Sequence, residues 1–575
     1  MKEKIYESLT TPFYDEINGD MPWNEYPRPS MRRDSFLCLN GEWGLEISDS
    51  EDIPSAFSER VLVPFPLGSM LSGINRQIPE GRVAFFKRSF TIPEGFMKER
   101  VILHFGAVDT LCTLYFNGKR VLSHAGGYLP FSADVTDYLC EENEIILAVR
   151  NDMSGAYPYG KKKVKRGGMW YTPTFGIWQT VWAESVCRSA ISGLKIKSGL
   201  TGAEIEYLGG EEGATLTLKD SGESFTAIGR RFIIEPADKR LWSPESPNLY
   251  YFTISSGEDT VESYFALRKI GIKSFNGVKR LTLNGEAYLF NGLLDQGYYP
   301  DGIFLPATPR GYENDILTAK RLGFNTLRKH IKIEPEIFYH LCDRLGMVVF
   351  QDFVNNGKYS FFFDTALPTV FMKSFPDRIL HRDKETRRIF KDHAAATVEH
   401  LYNFPCVLYY TIFNEGWGQF SADENYEFIK GLDDTRIIDA TSGWFQRKKS
   451  DVDSRHVYFK PVKVKGPSDR PIVISEFGGY SHRVTGHLFG SDNYGYKIFD
   501  DINEFRAAFK RLYGEEILPL ISKGVSALIY TQVSDVEDET NGVMTYDRRV
   551  TKLDEGECCS LMSLLYEKMK EVSGE

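Results

Sequence analysis

Hydrophobic and polar residues alternate along the first half of this chain in short runs that glycine, asparagine and aspartate interrupt. Alternation with a period of two is typical of strands with one buried face. The segment CTLYFNGKRVLSHAGG, residues 112–127, places two such runs around Asn117-Gly118 and predicts a β-hairpin. The whole pattern predicts two β-sandwiches, a larger one over residues 1–185 and a smaller one over residues 186–275.

The pattern changes near residue 280, where continuous apolar runs begin to alternate with helical segments. Eight such runs with helices between them fit a (β/α)8 barrel over residues 276–575. A long insertion, residues 354–385, follows the third run. An open doubly wound sheet is the alternative, but no glycine-rich phosphate-binding sequence follows the first strand. The predicted helices lie near residues 311–322, 335–345, 386–402, 423–431 and 502–522.

Two of the barrel runs end in a glutamate. CVLYYTIFNE ends in Glu415, and PIVISE ends in Glu476, which are the fourth and seventh strands by our count. Either glutamate alone would be explained by a structural ion pair with a basic neighbour. The carboxyl ends of barrel strands all face one opening, where active sites lie. We therefore expect both carboxylates at the same mouth.

A facing pair of carboxyl groups suits glycoside hydrolysis. A separation of about 5 to 5.5 Å favours a retaining mechanism, and a wider gap favours inversion. One carboxyl group must be protonated and the other ionised, and unequal surroundings can hold them in those states. Arg328, at the end of the second strand, could keep one of them ionised. Asn414, next to Glu415, could bind a sugar hydroxyl.

Several motifs, taken together, are similar to those of glycoside hydrolase family 2, which includes β-galactosidases, β-glucuronidases and β-mannosidases. The resemblance covers nearly the whole chain and implies a multidomain architecture. Its parts would be an N-terminal jelly-roll β-sandwich resembling a sugar-binding domain, an immunoglobulin-like β-sandwich and a catalytic C-terminal TIM barrel. The motifs are CLNGEW (38–43), HAGGYLPFSADVTDYL (124–139), WYTPTFGIWQTVW (170–182), LWSPESPNLY (241–250), GFNTLRKH (323–330), FNEGWG (413–418) and SEFGG (475–479).

The resemblance implies a role for each matching residue. Glu415 corresponds to the general acid/base, and Glu476 corresponds to the nucleophile. Arg328 and His330 match the pair on strand two that frames the nucleophile and a sugar hydroxyl. Tyr458 matches the tyrosine beside the nucleophile on strand six.

Three further positions are candidate sugar contacts. Asp295 ends strand one, where the family often contacts sugar, although its residue type differs from that of the best-known members. Trp417 and Trp444 could stack on a sugar face, or they could pack between barrel loops.

The chain also departs from the family pattern. No tryptophan follows Trp444, so Tyr530 or Gln532 must replace the tryptophan that often ends strand eight. The Asn-x-Lys motif that holds the uronate in bacterial β-glucuronidases occurs at residues 117–119 and 356–358, not after strand seven. Glucuronide specificity is therefore not supported, and galactose is the first expectation for the glycone because it is the most frequent glycone of the family that the chain resembles.

One basic run, GKKKVKRGG at residues 160–168, is explained most simply as a solvated loop. It could instead supply positive charge to an acidic part of a substrate. A nuclear-import signal is a further alternative.

Composition and charge argue against several classes of protein. The net charge is −10 and the pI is about 5.7, which argues against nucleic acid as a partner. The first twenty residues contain no apolar leader, and no apolar stretch is long enough for a membrane span. Eight cysteines without a CxxC pair predict reduced thiols and a cytoplasmic location.

The sequence predicts a retaining exo-β-glycosidase that hydrolyses terminal β-linked sugars of a small glycoside or an oligosaccharide. β-Glucuronidase, or another β-glycosidase of the family, is the alternative. A different class, a non-catalytic carbohydrate-binding protein, is disfavoured because every expected catalytic position is filled. No cofactor is expected, and no metal-ligand spacing is visible, although a tuning cation with unidentified ligands is compatible with the resemblance. Family members are commonly dimers or larger, so a homo-oligomer is a possible assembly.

Overall fold

The structure is a computed structural model that describes residues 9–366 and 376–574. The first eight residues, for which the sequence predicts no apolar leader, lie outside the described residues. So does the central part of the predicted insertion after the third barrel strand. Within the described part, two β-sandwiches precede a parallel barrel, as the sequence predicts.

The first sandwich forms because alternating side chains of two antiparallel sheets bury a common core that includes Trp43, Phe86 and Leu103. Asn117 and Gly118, with φ values of 48° and 74°, form the turn of the predicted hairpin, which is confirmed. Its strands are β1 Leu37–Cys38, β2 Gly41–Ser48, β3 Glu59–Val63, β4 Val83–Phe90, β5 Arg100–Phe105, β6 Val108–Asp109, β7 Leu111–Phe116, β8 Lys119–Ala125, β9 Phe131–Asp134, β10 Asn143–Arg150, β11 Gly176–Ile177 and β12 Val181–Val186. The sheet orders are β1-β12-β5-β9 and β3-β2-β4-β10-β7-β8, and β6 pairs with β11.

The second sandwich is smaller and packs around Leu216, Phe252 and Val261. The buried Arg33 connects it to the first sandwich, because its guanidinium binds Asp259 at 2.8 Å and Glu184 at 3.4 Å. The strands are β13 Ile191–Ser198, β14 Ala203–Gly209, β15 Thr215–Leu218, β16 Ser224–Thr226, β17 Arg231–Ile234, β18 Trp242–Ser243, β19 Ser246–Pro247, β20 Tyr250–Ser256 and β21 Asp259–Phe265. Their sheet orders are β13-β14-β17 and β16-β15-β20-β21, with β18 paired to β19.

A three-stranded antiparallel sheet leads from the second sandwich to the barrel. It contains β22 Ile270–Phe275, β23 Val278–Leu283 and β24 Glu286–Ala287. The expected boundary at residues 275–276 falls in the turn between β22 and β23. The predicted domain ranges therefore stay predictions, since one small sheet spans two of them.

Eight parallel strands form the barrel in the order β29-β28-β27-β26-β25-β34-β31-β30. They are β25 Phe290–Asp295, β26 Thr326–Lys329, β27 Val348–Asp352, β28 Val407–Asn414, β29 Ile437–Ser442, β30 Asp453–Val457, β31 Ile472–Gly478 and β34 Val525–Thr531. The barrel is nearly closed, because the hydroxyls of Ser442 on β29 and Ser454 on β30 lie 3.4 Å apart. Outside it, β32 Tyr480–His482 pairs with β33 Lys497–Phe499.

Helices cover the outside of the barrel, and most lie where the sequence predicts them. The segment predicted as one helix over 502–522 is interrupted by a π-helical turn, Leu512–Ile517. A final helix that the sequence analysis missed packs Leu565 and Met569 on the barrel. The helices are α1 Arg310–Arg321, α2 Glu336–Leu345, α3 Lys384–Leu401, α4 Ala422–Leu432, α5 Ile502–Arg511, α6 Leu518–Ile521 and α7 Glu555–Ser573. Shorter helical turns are Tyr14–Glu16, Pro29–Met31, Thr136–Tyr138, Phe361–Ala366 and Asp377–Ile379.

All eight cysteines lie among the described residues, and each is a free thiol. Across residues 9–366 and 376–574, no helix combines the length and the apolar character that crossing a bilayer requires.

Candidate active site

Glu415 is the first residue after β28, and its backbone turns sharply towards the barrel mouth. Its φ is 52°, and Gly416 follows with a φ of 81°. A non-glycine residue in this left-handed region costs about 1 to 3 kcal/mol, a cost that is typical of functional sites. The Glu415 N–H donates to the carbonyl of Ser442 at the end of β29, 2.9 Å away, which fixes the turn. The carboxylate is therefore held at the opening.

Glu476 lies within β31 and is held from two sides. Arg328 donates to its Oε1 at 3.0 Å, and the Tyr458 hydroxyl donates to its Oε2 at 2.5 Å. Burial acts to raise the pKa of Glu476, but the neighbouring His456 and Arg328 outweigh burial and lower it. The carboxyl group is therefore ionised at neutral pH.

The two carboxylates meet at His456. Oxygen atoms of Glu415 and Glu476 and a ring nitrogen of His456 all lie within 4.8 Å of one another. His456 Nδ1 is 2.7 Å from Glu415 Oε1 and 3.5 Å from Glu476 Oε2, and its Nε2 is 2.9 Å from the Ser442 hydroxyl. His456 lies two residues before Tyr458 in the sequence, and a single histidine at that position forms no recognisable motif.

Arg328 organises the nucleophile side of the site through three different nitrogen atoms. Nη1 binds Glu476, Nε binds Asp352 Oδ1 at 2.9 Å, and Nη2 binds Asn414 Oδ1 at 2.8 Å. Because the Asn414 oxygen faces Arg328, its NH2 group is free of protein acceptors among the described residues and can donate to a ligand. A planar guanidinium is suited to such a fork of contacts.

Asp352, at the end of β27, is a site residue that the sequence analysis missed. It accepts from Arg328 and lies 2.7 Å from His330 Nδ1. Burial would raise the pKa of Asp352, but Arg328 and His330 lower it overall. Burial lowers the pKa of His330 to about 4, so its imidazole is neutral at pH 7. The signal that could have found Asp352 is a third carboxylate after an apolar run, FQDF.

Asp295 is not joined to the catalytic cluster by any described contact. Lys329 donates to its Oδ2 at 2.6 Å, and the Gly297 N–H donates to its Oδ1 at 2.8 Å. Both carboxylate oxygens therefore have protein partners, which is the arrangement of a structural ion pair. Contact with a sugar stays a prediction.

The three aromatic candidates lie in different surroundings. Trp417 is buried and stacks on Trp170 with ring centroids 5.1 Å apart, so it packs between loops. Trp444 is half-buried just beyond β29 and stays a candidate for stacking on a sugar. Tyr530 is not brought to the cluster: its ring packs on Phe477 and Phe509 outside the barrel mouth.

Gln532 is the residue that reaches the mouth after β34. Its Nε2 donates to Glu539 at 3.0 Å and to Asn541 at 2.8 Å, and its Oε1 accepts from Gln296 at 2.8 Å. Burial raises the pKa of Glu539, which also senses the negative charge of Glu476. The loop after β34, residues 532–551, thus brings a third carboxylate close to the pair, and we call it the acidic loop.

The first sandwich also contributes to the site, through a long loop between β10 and β11, residues 151–175. We call it the mouth loop. The Tyr159 N–H donates to the carbonyl of Asn355 at 3.1 Å, and the Thr172 N–H donates to Glu537 on the acidic loop at 2.8 Å. The mouth loop therefore covers part of the barrel opening.

The simplest expectation for the basic run, a solvated loop, is wrong for its first two lysines. Lys162 is 2% exposed and binds Asp109 at 2.5 Å. Lys161 is 8% exposed and faces the rings of Tyr171 and Trp417. Residues 163–165 are exposed as expected. The run is buried at one end because the mouth loop packs on the barrel.

Among the described residues, the one group of three side chains with metal-ligand geometry is Glu415, His456 and Glu476. These side chains also form the carboxylate pair, so an ion between them would occupy the space that a reacting sugar needs. This group therefore gives no separate site for a tuning cation.

Family models match both major parts of the chain. The model described as "Glycosyl hydrolases family 2, sugar binding domain" matches residues 42–172. The model described as "Glycosyl hydrolases family 2, TIM barrel domain" matches residues 281–541. Together they include the mouth loop up to Thr172 and every strand of the barrel.

Curated relatives are distant and longer. A β-galactosidase of Aeromonas hydrophila is 24% identical over 493 residues, which are 78% of this chain and 45% of that protein. A β-galactosidase of Priestia megaterium is 22% identical over 573 residues, 90% of this chain and 52% of that protein. The chain thus spans about half the length of these relatives.

Solved structures share the fold over nearly the full chain. A β-D-glucuronidase of Dictyoglomus thermophilum superposes with a TM-score of 0.73 at 19% identity, covering 94% of this chain and 98% of that one. A GH2 β-galacturonidase of Eisenbergiella tayi bound to galacturonate gives 0.67 at 18% identity, covering 93% and 97%. The family models and this fold agree with the resemblance seen in the sequence. The chain belongs to glycoside hydrolase family 2.

Proposed function

We propose that the protein is a retaining, exo-acting β-glycosidase that hydrolyses terminal β-linked sugars. The observation that carries the proposal is the carboxylate pair: oxygen atoms of Glu415 and Glu476 lie within 4.8 Å in unequal surroundings. Arg328 and Tyr458 bind Glu476 directly, while Glu415 has His456 as its side-chain partner. That asymmetry suits one ionised and one proton-carrying group.

In the first step, a Glu476 oxygen attacks the anomeric carbon and forms a glycosyl ester. The bond from that carbon to the aglycone oxygen breaks, and Glu415 gives its proton to the leaving oxygen. In the second step, Glu415 takes a proton from water, whose oxygen attacks the anomeric carbon and releases Glu476. The sugar leaves with its original configuration, and both side chains return to their starting states.

Neighbouring residues support these steps. Tyr458 and Arg328 orient the attacking carboxylate, and the free NH2 group of Asn414 is placed to bind a sugar hydroxyl. Hydrogen bonds of this kind strengthen in the transition state. A carbohydrate-binding protein without catalysis would not require this buried set of charges, which costs free energy to assemble.

The glycone is a β-D-hexose or a derivative of it. β-D-Galactosides are the first expectation, because several curated relatives are β-galactosidases. The structural neighbours include a β-D-glucuronidase and a β-galacturonidase, so acidic glycones belong in the same test.

The test is a panel of nitrophenyl glycosides with the wild type, Glu476→Gln and Glu415→Gln. The panel contains the β-galactoside, β-glucuronide, β-galacturonide, β-glucoside, β-mannoside, α-arabinopyranoside and β-fucoside. Turnover of at least one member, reduced by several orders of magnitude in both variants, is expected. Glu424→Gln, which changes an exposed glutamate on α4, is the matched control.

Azide separates the two roles. In Glu415→Ala, azide replaces water as the attacker of the glycosyl enzyme and yields a β-glycosyl azide. In Glu476→Ala, azide attacks the substrate itself on the opposite face and yields the α-glycosyl azide. The proposal is wrong if well-folded wild type turns over no member of the panel, or if the wild-type product has inverted configuration by NMR.

A further inference from the structure

Lys161 differs from the other buried lysines of the described residues because no carboxylate pairs with it. Five lysines are buried in the described part of the chain, and four of them have a carboxylate within 2.8 Å. No described carboxylate lies within ion-pair distance of the Lys161 ammonium, and no described group accepts a hydrogen bond from it. The paired four are Lys162, Lys329, Lys332 and Lys552.

This ammonium lies at the barrel mouth. It is 5.9 Å from the ring centroid of Trp417, which is two residues beyond Glu415, and 5.3 Å from that of Tyr171. Its charge also acts on His330 and Glu539, which lie on the nucleophile side of the site. Lys161 therefore lies close to Trp417 at the barrel mouth and within electrostatic reach of Glu539 on the acidic loop.

The Lys161 residue is 8% exposed, so its ammonium has lost much of its hydration, at a cost in free energy, without gaining a hydrogen-bonded or ion-paired partner among the described residues. The aromatic faces recover a fraction of that cost through cation–π attraction. Glu539 balances the charge from a greater distance, while its own Oε2 accepts from Gln532. An anionic group of a ligand would supply the missing direct partner.

We propose that Lys161 binds the C6 carboxylate of a hexuronic acid, so that the substrates are β-D-hexuronides. This rests on the proposed function, and it replaces the neutral galactoside expected from the sequence. A hexuronide pairs the ammonium, whereas the corresponding hexoside leaves it without a counter-charge. The positive charge comes from the mouth loop of the first sandwich, so both parts of the chain determine specificity.

The two Asn-x-Lys segments do not offer the same group. Asn356 uses its NH2 group to hold the mouth loop at the carbonyl of Ala156, 2.8 Å away, and Lys358 is exposed. Asn117 and Lys119 belong to the hairpin turn between β7 and β8. Among the buried lysines of the described residues, Lys161 is thus the one without a carboxylate partner.

The kinetic test compares substrates that differ only at C6: nitrophenyl β-D-glucuronide with the β-D-glucoside, and β-D-galacturonide with the β-D-galactoside. The wild type is expected to prefer one hexuronide over its neutral partner. Lys161→Met should lower that preference, the ratio of the two kcat/KM values, by about 10- to 100-fold, the range for a lost hydrogen bond to a charged group. Lys161→Arg should retain part of it.

Lys165→Met, an exposed lysine of the same loop, is the matched control and should keep the wild-type ratio. Wild-type preference for the neutral member of both pairs would overturn the inference and leave the proposed function intact. An equal fall for acidic and neutral substrates in Lys161→Met would also overturn it, because that result indicates a structural role.

Binding gives a second readout that does not need turnover. Calorimetry with Glu476→Gln should show binding of D-glucuronate or D-galacturonate that is tighter than binding of D-glucose and D-galactose. Adding Lys161→Met should remove the difference. Uronate binding that depends on Lys161 in a chain without hydrolase activity would sustain the inference and refute the proposed function. Equal binding of acidic and neutral sugars would refute the inference alone.

Discussion

Among the described residues, His456 is the side chain with contacts to both Glu415 and Glu476, so its replacement tests how the site keeps the two carboxyl groups in different states. Its Nδ1 is 2.7 Å from Glu415 and 3.5 Å from Glu476. The ring is fully buried and its Nε2 lies 2.9 Å from the hydroxyl of Ser442. His456→Ala removes both contacts, whereas His456→Asn keeps a donor near the position of Nδ1.

The size of the effect follows from these contacts. A hydrogen bond to a charged group contributes about 1.5 to 3 kcal/mol, and each 1.4 kcal/mol is about tenfold in rate. We therefore expect His456→Ala to lower kcat/KM by about 10- to 100-fold at neutral pH. His456 and Arg328 together lower the pKa of Glu476. Removing His456 therefore raises the pKa of Glu476. As a result, the acid limb of the pH profile, where activity falls because Glu476 becomes protonated, should shift to higher pH in the variant.

The assay is the pH profile of kcat/KM from pH 4 to 9 on the best substrate of the panel. Loss of about 1.4 kcal/mol of charge stabilisation moves the acid limb upward by roughly one pH unit. His456→Asn should lie between the wild type and His456→Ala. His487→Asn, which changes a loop histidine paired with Asp547, is the control. An unshifted acid limb in His456→Ala would refute this reasoning, because a merely structural loss lowers the rate without moving the limb.

Three further outcomes are expected. Tyr458→Phe removes the 2.5 Å hydrogen bond to Glu476 and should lower kcat by about 10- to 100-fold. The acid limb of its pH profile should also shift to higher pH, and an unchanged pH profile would contradict this expectation. Lys162→Met leaves Asp109 buried without its cation and should lower the free energy of unfolding, measured by urea denaturation, by about 3 to 5 kcal/mol. A loss below about 1 kcal/mol would contradict this expectation. Burial raises the pKa of Glu336 to about 7, above its unfolded value, so stability falls as the pH rises towards and through 7. Glu336→Gln should therefore raise the melting temperature at pH 8 relative to the wild type but not at pH 5, and equal effects at both pH values would contradict it.

Periodicity and topology together predicted the centre of the site. Continuous apolar runs predicted the barrel strands, and barrel topology predicted that Glu415 and Glu476 lie at one mouth although 61 positions separate them in sequence. In the structure, oxygen atoms of the two residues lie within 4.8 Å of each other. Asp352 was missed, and the contacts of His456 with both glutamates were not predicted, because each is a single polar residue near a strand end, without a partner nearby in sequence. Their importance depends on contacts between strands, with Arg328 for one and with both glutamates for the other.

The mouth was harder to predict than the centre. Near the end of β34, the sequence offered Tyr530 and Gln532 equally as replacements for the tryptophan that often ends strand eight. In the structure, the ring of Tyr530 packs on Phe509, whereas the side chain of Gln532 donates to Glu539. The basic run has a uniform composition, yet Lys161 is buried and Lys165 exposed. Burial of Lys161 depends on Trp417, more than 250 positions later in the chain, and a local pattern contains no information about such a contact.

The hydrogen bond between the mouth loop and the acidic loop also determines when the barrel opening of a newly made molecule is complete. During synthesis the first sandwich leaves the ribosome early, and domains generally fold in that order. The partners of the mouth loop are made much later, with Trp417 in the middle of the barrel and Glu537 after its last strand. A nascent chain can therefore contain both Glu415 and Glu476 while the mouth loop still lacks its partner Glu537. Synthesis of the acidic loop, and not of the two glutamates, is the step that allows the mouth loop to make its contact with Glu537.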